Sequence, residues 1–193
     1  TAHQLGTPIS SMMAWTEILK ETYPDDEMVA EMGKDVKRLE IIAERFSKIG
    51  SIPELKATPL NEVIEHVVDY MNKRTSSKVK IIYHATDNNI IAHINPALFE
   101  WVIENLCKNA VDAMEGKGYI NISTFYERTN LCIEIKDNGK GIKRNDIKNV
   151  FTPGFTTKKR GWGLGLSLAK RIIENYHKGK IFVKESEVGK GST

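Results

Sequence analysis

The chain has 193 residues, 40% of them apolar and 27% charged, which allows one large domain or two small ones at roughly 100–200 residues per domain. Folding at this length buries about 70% of the unfolded surface without staples. Two cysteines, Cys107 and Cys132, each inside an apolar run, exclude a disulfide framework and read as reduced thiols of a cytoplasmic compartment. The net charge of +3 is uneven: residues 1–50 carry 6 basic against 9 acidic side chains and the rest 22 against 16. A mildly basic remainder suits an anionic small ligand and is too weak to argue for nucleic acid. No stretch reaches the roughly 18–20 uncharged residues of a membrane span and no signal peptide is visible, so membrane attachment would need a region missing from this chain.

Leu5, Ile9, Met12, Met13 and Leu19 recur at helical spacing, and after Tyr23-Pro24-Asp25-Asp26 a second stripe runs from Met28 through Met32, Val36, Leu39, Ile42 and Phe46 to Ile49. Two such helices predict an αα-hairpin over residues 1–51, with too little interior to stand alone, and hence a four-helix bundle formed by a homodimer. Ser51-Ile52-Pro53 reads as a linker, which sets a second domain at 52–193. A helix is predicted from about Leu60 to Arg74, entered through Ala57–Pro59 with Thr58 or Asn61 as cap. Beyond it, strands are predicted at Val79–Tyr83, Ile90–Ile94, Tyr119–Phe125, Leu131–Lys136 and Lys180–Lys184, and helices at Pro96–Met114 and Leu164–Tyr176. The alternation predicts an α/β two-layer sandwich with a mixed sheet, in which Tyr119–Phe125 and Leu131–Lys136 are close enough to form a hairpin.

Chemistry is written in three places. On the helix Pro96–Met114, apolar almost all round, Asn105, Asn109 and Asp112 fall at i, i+4 and i+7 as a single polar stripe. Buried amides and carboxylates are costly without partners, so the stripe predicts a polar ligand, ordered water or a metal beside it. Next, a strand runs into Asp137-Asn138-Gly139-Lys140-Gly141, which presents one fixed carboxylate while the backbone turns closely around a ligand, or forms an ordinary Asx turn. Third, Gly161-Trp162-Gly163-Leu164-Gly165-Leu166 opens a helix and lets free N–H groups approach phosphate. It has neither the spacing of a dinucleotide fingerprint nor a Walker lysine. Between the second and third places lies Phe151 to Arg160, without periodicity and with a basic end of Lys158, Lys159 and Arg160, a lid whose cations either meet phosphate or are simply solvated.

In this order and within some sixty residues, the three elements resemble the ATP-binding core shared by sensor histidine kinases, DNA gyrase, the Hsp90 chaperones and MutL. Glu104 to Ala113 resembles the Asn box, Asp137 to Gly141 the first glycine box, Phe151 to Phe155 the lid box, Gly161 to Leu166 the second glycine box, and Gly189-Lys190-Gly191-Ser192-Thr193 a third glycine box cut off before its closing strand. His3-Gln4-Leu5-Gly6-Thr7-Pro8-Ile9 resembles the phosphoacceptor box that separates sensor histidine kinases from the other relatives.

The resemblance implies ATP and Mg²⁺ as ligands. Asn109 would hold the metal through its amide oxygen, with Asn105 supporting the phosphate side in catalysis and Asp112 among the nucleotide-binding residues. Asp137 would accept from the adenine amino group. Gly139, Gly141, Gly161, Gly163, Leu164 and Gly165 would bring backbone to the nucleotide, and Lys158 a cation to its phosphates. His3 would attack the γ-phosphorus, and the phosphoryl group would pass to an aspartate on a response-regulator receiver domain.

The residues around His3 support that role on their own. His3 and Thr7 share one helix face opposite Leu5, Ile9 and Met12, and Pro8 withholds an N–H from the Gln4 carbonyl, which loosens the turn. A neutral imidazole is a competent nucleophile near pH 7. His66, His84, His93 and His177 read as surface or packing residues.

Gln4 stands where the family usually carries a carboxylate, which implies slow autophosphorylation, and Thr7 where a residue positions water, which implies phosphatase activity toward the regulator. Trp162 is bulky where small residues are common. Two alternatives stay open: an ATP-gated dimeric switch without kinase activity, and a degenerate kinase acting as phosphatase or scaffold. A sensing region is expected before residue 1, because the first helix begins two residues ahead of His3.

Overall fold

The computed structural model describes residues 2–30, 32, 33, 36, 37, 40, 53–85, 90–158 and 163–193, with backbone alone for residues 2–7. The side chains of His3, Gln4 and Thr7, the whole of Lys159, Arg160, Gly161 and Trp162, and most of the second apolar stripe therefore lie outside the described residues. Two compact units divide at Pro53/Glu54.

In the first unit, helix α1 spans Ala2–Thr22 with Pro8 inside it. Thr16 and Thr22 turn their hydroxyls back onto the Met12 and Ile18 carbonyls at 2.6 and 2.8 Å, which spares these two polar groups a partner elsewhere. Asp26 then opens a second helical stretch: its carboxylate accepts from Met28 N–H at 2.8 Å and its carbonyl from Ala30 N–H at 3.1 Å, the pattern of an N-cap. Thr16 is buried, and Lys20 and Thr16 lie so close to Gly33 that a side chain there would meet both. Trp15, Ile18 and Met28 are exposed. Among the described residues no helix is long and apolar enough to cross a membrane.

The second unit is an α/β two-layer sandwich. Strand β1 (Lys56–Pro59) pairs antiparallel with β3 (Ile91–Ile94) as a separate two-stranded sheet. The main sheet runs β2 (Val79–Ala85), β4 (Gly118–Glu127), β5 (Asn130–Asp137), β7 (Gly191–Ser192), β6 (Ser186–Glu187). It is mixed: β2 and β4 are parallel, β4 and β5 form the antiparallel hairpin. Helices α2 (Leu60–Arg74) and α3 (Pro96–Ala113) cover one face, where Leu60, Ile64, Val102, Ile103, Cys107, Ile120 and Ile122 are almost wholly buried. At about 25 cal/mol per Å², such burial is the main force holding helices to sheet. Burial pushes the Cys107 thiol up to about 12, so it stays a protonated, packed group.

Polar side chains fix the register of the layers. Asn72 on α2 donates to the Ile81 carbonyl at 3.0 Å and accepts from its N–H at 3.2 Å, closing the free edge of β2 as a neighbouring strand would. The Tyr83 hydroxyl donates to Asn61 Oδ1 at 2.5 Å and bonds Thr124 Oγ1 at 2.9 Å, a polar pin between α2 and the sheet.

Helix α3 begins where Asn95 accepts from Leu98 N–H at 3.1 Å and Pro96 takes the position that needs no donor. Helix α4 (Gly165–Arg171) continues into a π-helical turn, Ile172–Tyr176, whose end carries His177. His177 Nε2 lies 3.0 Å from the Asn95 N–H and must accept, so Nδ1 carries the proton and donates to the Ile172 carbonyl at 2.9 Å. The ring thereby ties the end of the α4 segment to the start of α3.

Three expectations need correction. Ala57–Pro59 is strand, and α2 starts at Leu60 with no side-chain cap: Thr58 bonds back to Lys56, and Asn61 takes Tyr83. Residues 180–184 are not a strand, because among the described residues only Lys184 N–H finds a backbone partner there, the Thr193 carbonyl, so no ladder forms. The helix predicted to Tyr176 is α-helical only to Arg171.

Asn72→Ala strips both bonds from the β2 edge and leaves the Ile81 groups to solvent. A loss of about 1–2 kcal/mol in urea-unfolding stability is expected, with no change in the cooperativity of the transition.

Candidate functional site

The polar stripe of α3 faces a cleft of about 1590 Å³ within the second unit, lined also by Asp137, Gly141 and Lys158 and by Gly163, Leu164 and Gly165. The side-chain nitrogen of Asn105 is fully buried and has no hydrogen-bond partner among the described residues. Gly165 approaches so closely that a Cβ there would lie 2.5 Å from Asn105 Oδ1. One turn along α3, Asn109 Oδ1 and, a turn further, Asp112 Oδ2 both accept from Lys158 Nζ, at 2.9 and 2.6 Å. An unpartnered amide donor beside an amide oxygen and a carboxylate that already gather a cation is a donor set for an anionic ligand carrying a hard cation.

The wall opposite is the turn after β5. Asp137, its last residue, accepts from Gly139 N–H at 2.8 Å, and the Ser192 backbone N–H also reaches its carboxylate. Burial nonetheless holds the Asp137 carboxyl above its ordinary value of 3.8, the two amides opposing the shift. A raised value in the folded chain means that ionisation disfavours folding at neutral pH, and that this penalty is relieved as pH falls through it.

Asn138 Oδ1 meanwhile accepts from Tyr119 N–H at 2.8 Å and ties the turn to the start of β4. Gly139 lines no wall of the cleft: its α-carbon faces the end of α3, where a Cβ would lie 2.8 Å from the Ala113 backbone. Lys140 N–H then donates to the Ala113 carbonyl at 2.8 Å, which locks the Asp137 turn onto the helix that carries the stripe. Gly141, at φ 72°, lets the chain leave beneath the Glu187 carbonyl, where no side chain fits.

The segment from Phe151 is held by Gly154 N–H on the Gly163 carbonyl at 3.0 Å, and within it Lys158 reaches α3. Asn105, Asn109, Asp112, Asp137, Gly141, Lys158, Gly163, Leu164 and Gly165 are thus brought to one cleft; Gly161 lies outside the described residues. Ser186 is a member of this framework that sequence reasoning misses. Its hydroxyl accepts from Ile142 N–H at 2.7 Å and donates to the Gly191 carbonyl at 3.1 Å, so it joins the Asp137 turn to β7. The sequence signal for it is only its nearness to Gly189–Thr193.

Comparison with known proteins places this geometry. Residues 94–193, just over half of the chain, match the family described as histidine kinase-, DNA gyrase B-, and HSP90-like ATPase. The chain belongs to that family. Within it, relatives named as sensor histidine kinases are among those the chain matches, and the second unit is an ATP-binding domain of the histidine-kinase type. Sporulation kinase C of Bacillus subtilis is 28% identical over 99% of this chain and 45% of its own length. Sensor histidine kinase ZraS of Escherichia coli is 30% identical over 100% of this chain and 42% of its own. The chain therefore spans less than half the length of these curated relatives. The catalytic domain of histidine kinase ThkA superposes with a TM-score of 0.65 at 27% identity, over 72% of this chain and 91% of that one.

Gly141→Ala forces a side chain into a left-handed turn against the Glu187 carbonyl. It is expected to lower thermal stability by about 1–3 kcal/mol. Gly116→Ala, at φ 90° with open space around it, should show the smaller, purely backbone contribution, and differential scanning calorimetry of both variants checks the difference.

Proposed function

We propose that the chain is the transmitter of a sensor histidine kinase: residues 1–51 a dimerising phosphotransfer hairpin, residues 52–193 the catalytic ATP-binding domain. The observation that carries this reading is the cleft in which a buried Asn105 amide nitrogen, without a partner among the described residues, and the Asp137 carboxylate share one helix-and-turn framework. Exposed Trp15, Ile18 and Met28 in the first unit suit a second copy packing there as a four-helix bundle.

In this reading Asp137 accepts from the adenine amino group, the single hydrogen bond that selects the base. Asn105 donates its free amide to the phosphate chain, and the backbone at Gly163–Gly165 approaches it. Asn109, with Asp112 beside it, would hold Mg²⁺, which when bound neutralises the terminal phosphates. The His3 imidazole attacks the γ-phosphorus, the bond to the bridging oxygen breaks, and ADP leaves with that oxygen's electron pair. Gln4 can hold the imidazole tautomer but supplies no charge, so the step is slow. The phosphohistidine then serves as donor to an aspartate of a response-regulator receiver domain, and Thr7 positions water for the reverse, phosphatase reaction on that partner. Gln4 also favours a second reading, in which the chain binds ATP but acts as phosphatase or scaffold.

Incubation with labelled ATP is expected to give acid-labile, alkali-stable phosphate on the wild type and none on His3→Ala. Asn109→Ala should slow incorporation by roughly 100-fold or more. Nucleotide binding by the wild type without any phosphohistidine would leave the second reading standing.

The raised carboxyl of Asp137 makes a separate prediction. Only the carboxylate is a pure acceptor, so affinity for an adenine nucleotide should fall as pH drops, with an inflection above the ordinary 3.8. Asp137→Asn should bind about 10- to 100-fold more weakly with a flat profile over the same range, read by titration of a fluorescent ATP analogue.

A further inference from the structure

The contact between Lys158 and α3 joins residues 46 and 49 positions apart and closes on the two oxygens best suited to a metal, Asn109 Oδ1 and Asp112 Oδ2. We infer that Lys158 is a tethered competitor of the divalent cation: its ammonium and the metal contend for the same pair of oxygens, so that metal binding frees the Phe151–Lys158 segment from α3. The inference rests on the reading of Asn109 as a metal ligand and adds to it a residue that sets selectivity for metal-loaded over metal-free nucleotide.

The chemistry is that of like charges at one donor pair. An ammonium is a compact, strongly hydrated point charge with three donors, two of them used here. Magnesium also seeks hard oxygens and retains its waters, and Coulomb repulsion disfavours two cations sharing one pair of oxygens. Occupancy by one therefore weakens the other. Neither side of the contact is deeply buried, Lys158 being 38% and Asp112 55% exposed at their side chains. Exposed pairs of this kind shift an equilibrium by only about two- to fivefold. The tether is therefore weak enough to be displaced by a divalent cation, yet strong enough to raise by that factor the metal concentration at which the nucleotide is captured.

Release also does something for the substrate. Lys158 carries this segment's side-chain contact with α3, and its own N–H is held within the segment by Thr156 Oγ1 at 3.1 Å, so breaking the Nζ contact unpins the backbone around it as well as the side chain. Once freed by the metal, the cation is available to the phosphates. Metal-free nucleotide finds it still engaged with Asp112 and gains nothing from it.

The test uses the 193-residue chain and its Lys158→Met variant, with MgCl₂ titrated at constant ionic strength against a trace of fluorescent, non-hydrolysable ATP analogue. The variant is expected to reach half-maximal binding at about two- to fivefold less Mg²⁺, whatever its affinity at saturation. In the absence of nucleotide, amide hydrogen exchange over residues 151–158 should be faster in the variant than in the wild type. Added Mg²⁺ should accelerate exchange in the wild type alone. Equal Mg²⁺ midpoints, or equal exchange with and without Mg²⁺ in both proteins, would overturn the inference. Failure of the wild type to take up the analogue at any Mg²⁺ concentration would instead overturn the nucleotide reading, and the exchange measurement with Mg²⁺ alone would still decide the competition.

Discussion

A half-buried carboxylate must be given backbone amides in place of the water it has lost, and the α/β unit is arranged around that requirement at Asp137. Gly139 N–H and Ser192 N–H both turn toward it. The first needs the chain to double back on the end of α3, possible because Gly139 lets the turn lie against the Ala113 backbone. The second needs β7 in register with β5, Ser192 opposite Asp137. Ser186 and the Gly189 N–H on the Lys140 carbonyl then hold the two loops together. One acceptor thus fixes the position of the α3 stripe relative to the turn, and with it the width of the cleft.

The unfavourable groups of this arrangement sit above an apolar, enclosed core. Among the described residues Asn105 keeps a donor without a partner, and Asp137 keeps its charge against the pull of burial. The first is a cost of the order of 1–3 kcal/mol. Beneath them Leu60, Ile64, Ile120 and Ile122 are fully enclosed, and each fully buried aliphatic side chain contributes about 1.5–3 kcal/mol. A ligand that supplies an acceptor to Asn105 and a donor to Asp137 relieves both penalties at once, so binding and stability are coupled through the same two groups.

Local signals carried most of the fold. The helix Pro96–Met114 was legible because Asn95 and Pro96 mark its start and eighteen residues of apolar periodicity follow. The Tyr119–Lys136 hairpin was legible because only five residues lie between its alternating runs. What escaped depends on partners distant in the chain. Lys56–Pro59 is a strand only because Ile91–Ile94 lies beside it, and residues 180–184, as β-rich as any strand, form none where no ladder reaches them. The π-turn before His177 exists where the ring must meet Asn95, 82 residues away in sequence.

The site divides along the same line. Asn105, Asn109 and Asp112 stood out as polar positions on an apolar helix, and Asp137 as a carboxylate at a strand end. That Lys158 closes on two of them, and that Ser192 supplies an amide to the fourth, follows only from tertiary contact.

The two sides of the cleft also differ in how firmly they are made. Asp137 and the end of α3 are joined by backbone to backbone, through Lys140 on Ala113, and such bonds turn over only when the unit opens. Lys158 joins α3 through a flexible side chain at partly solvated oxygens. On the proposed reading, a base-recognising wall gains from rigidity, because discrimination by a single hydrogen bond collapses if the acceptor wanders, and a phosphate-facing wall gains from exchange, because the charge it must accommodate changes with the metal and with loss of the terminal phosphoryl group. Backbone contacts fix the Asp137 side, and Lys158 brings a long cationic side chain to the other. That division of labour follows from which interactions survive contact with water and which are traded for it.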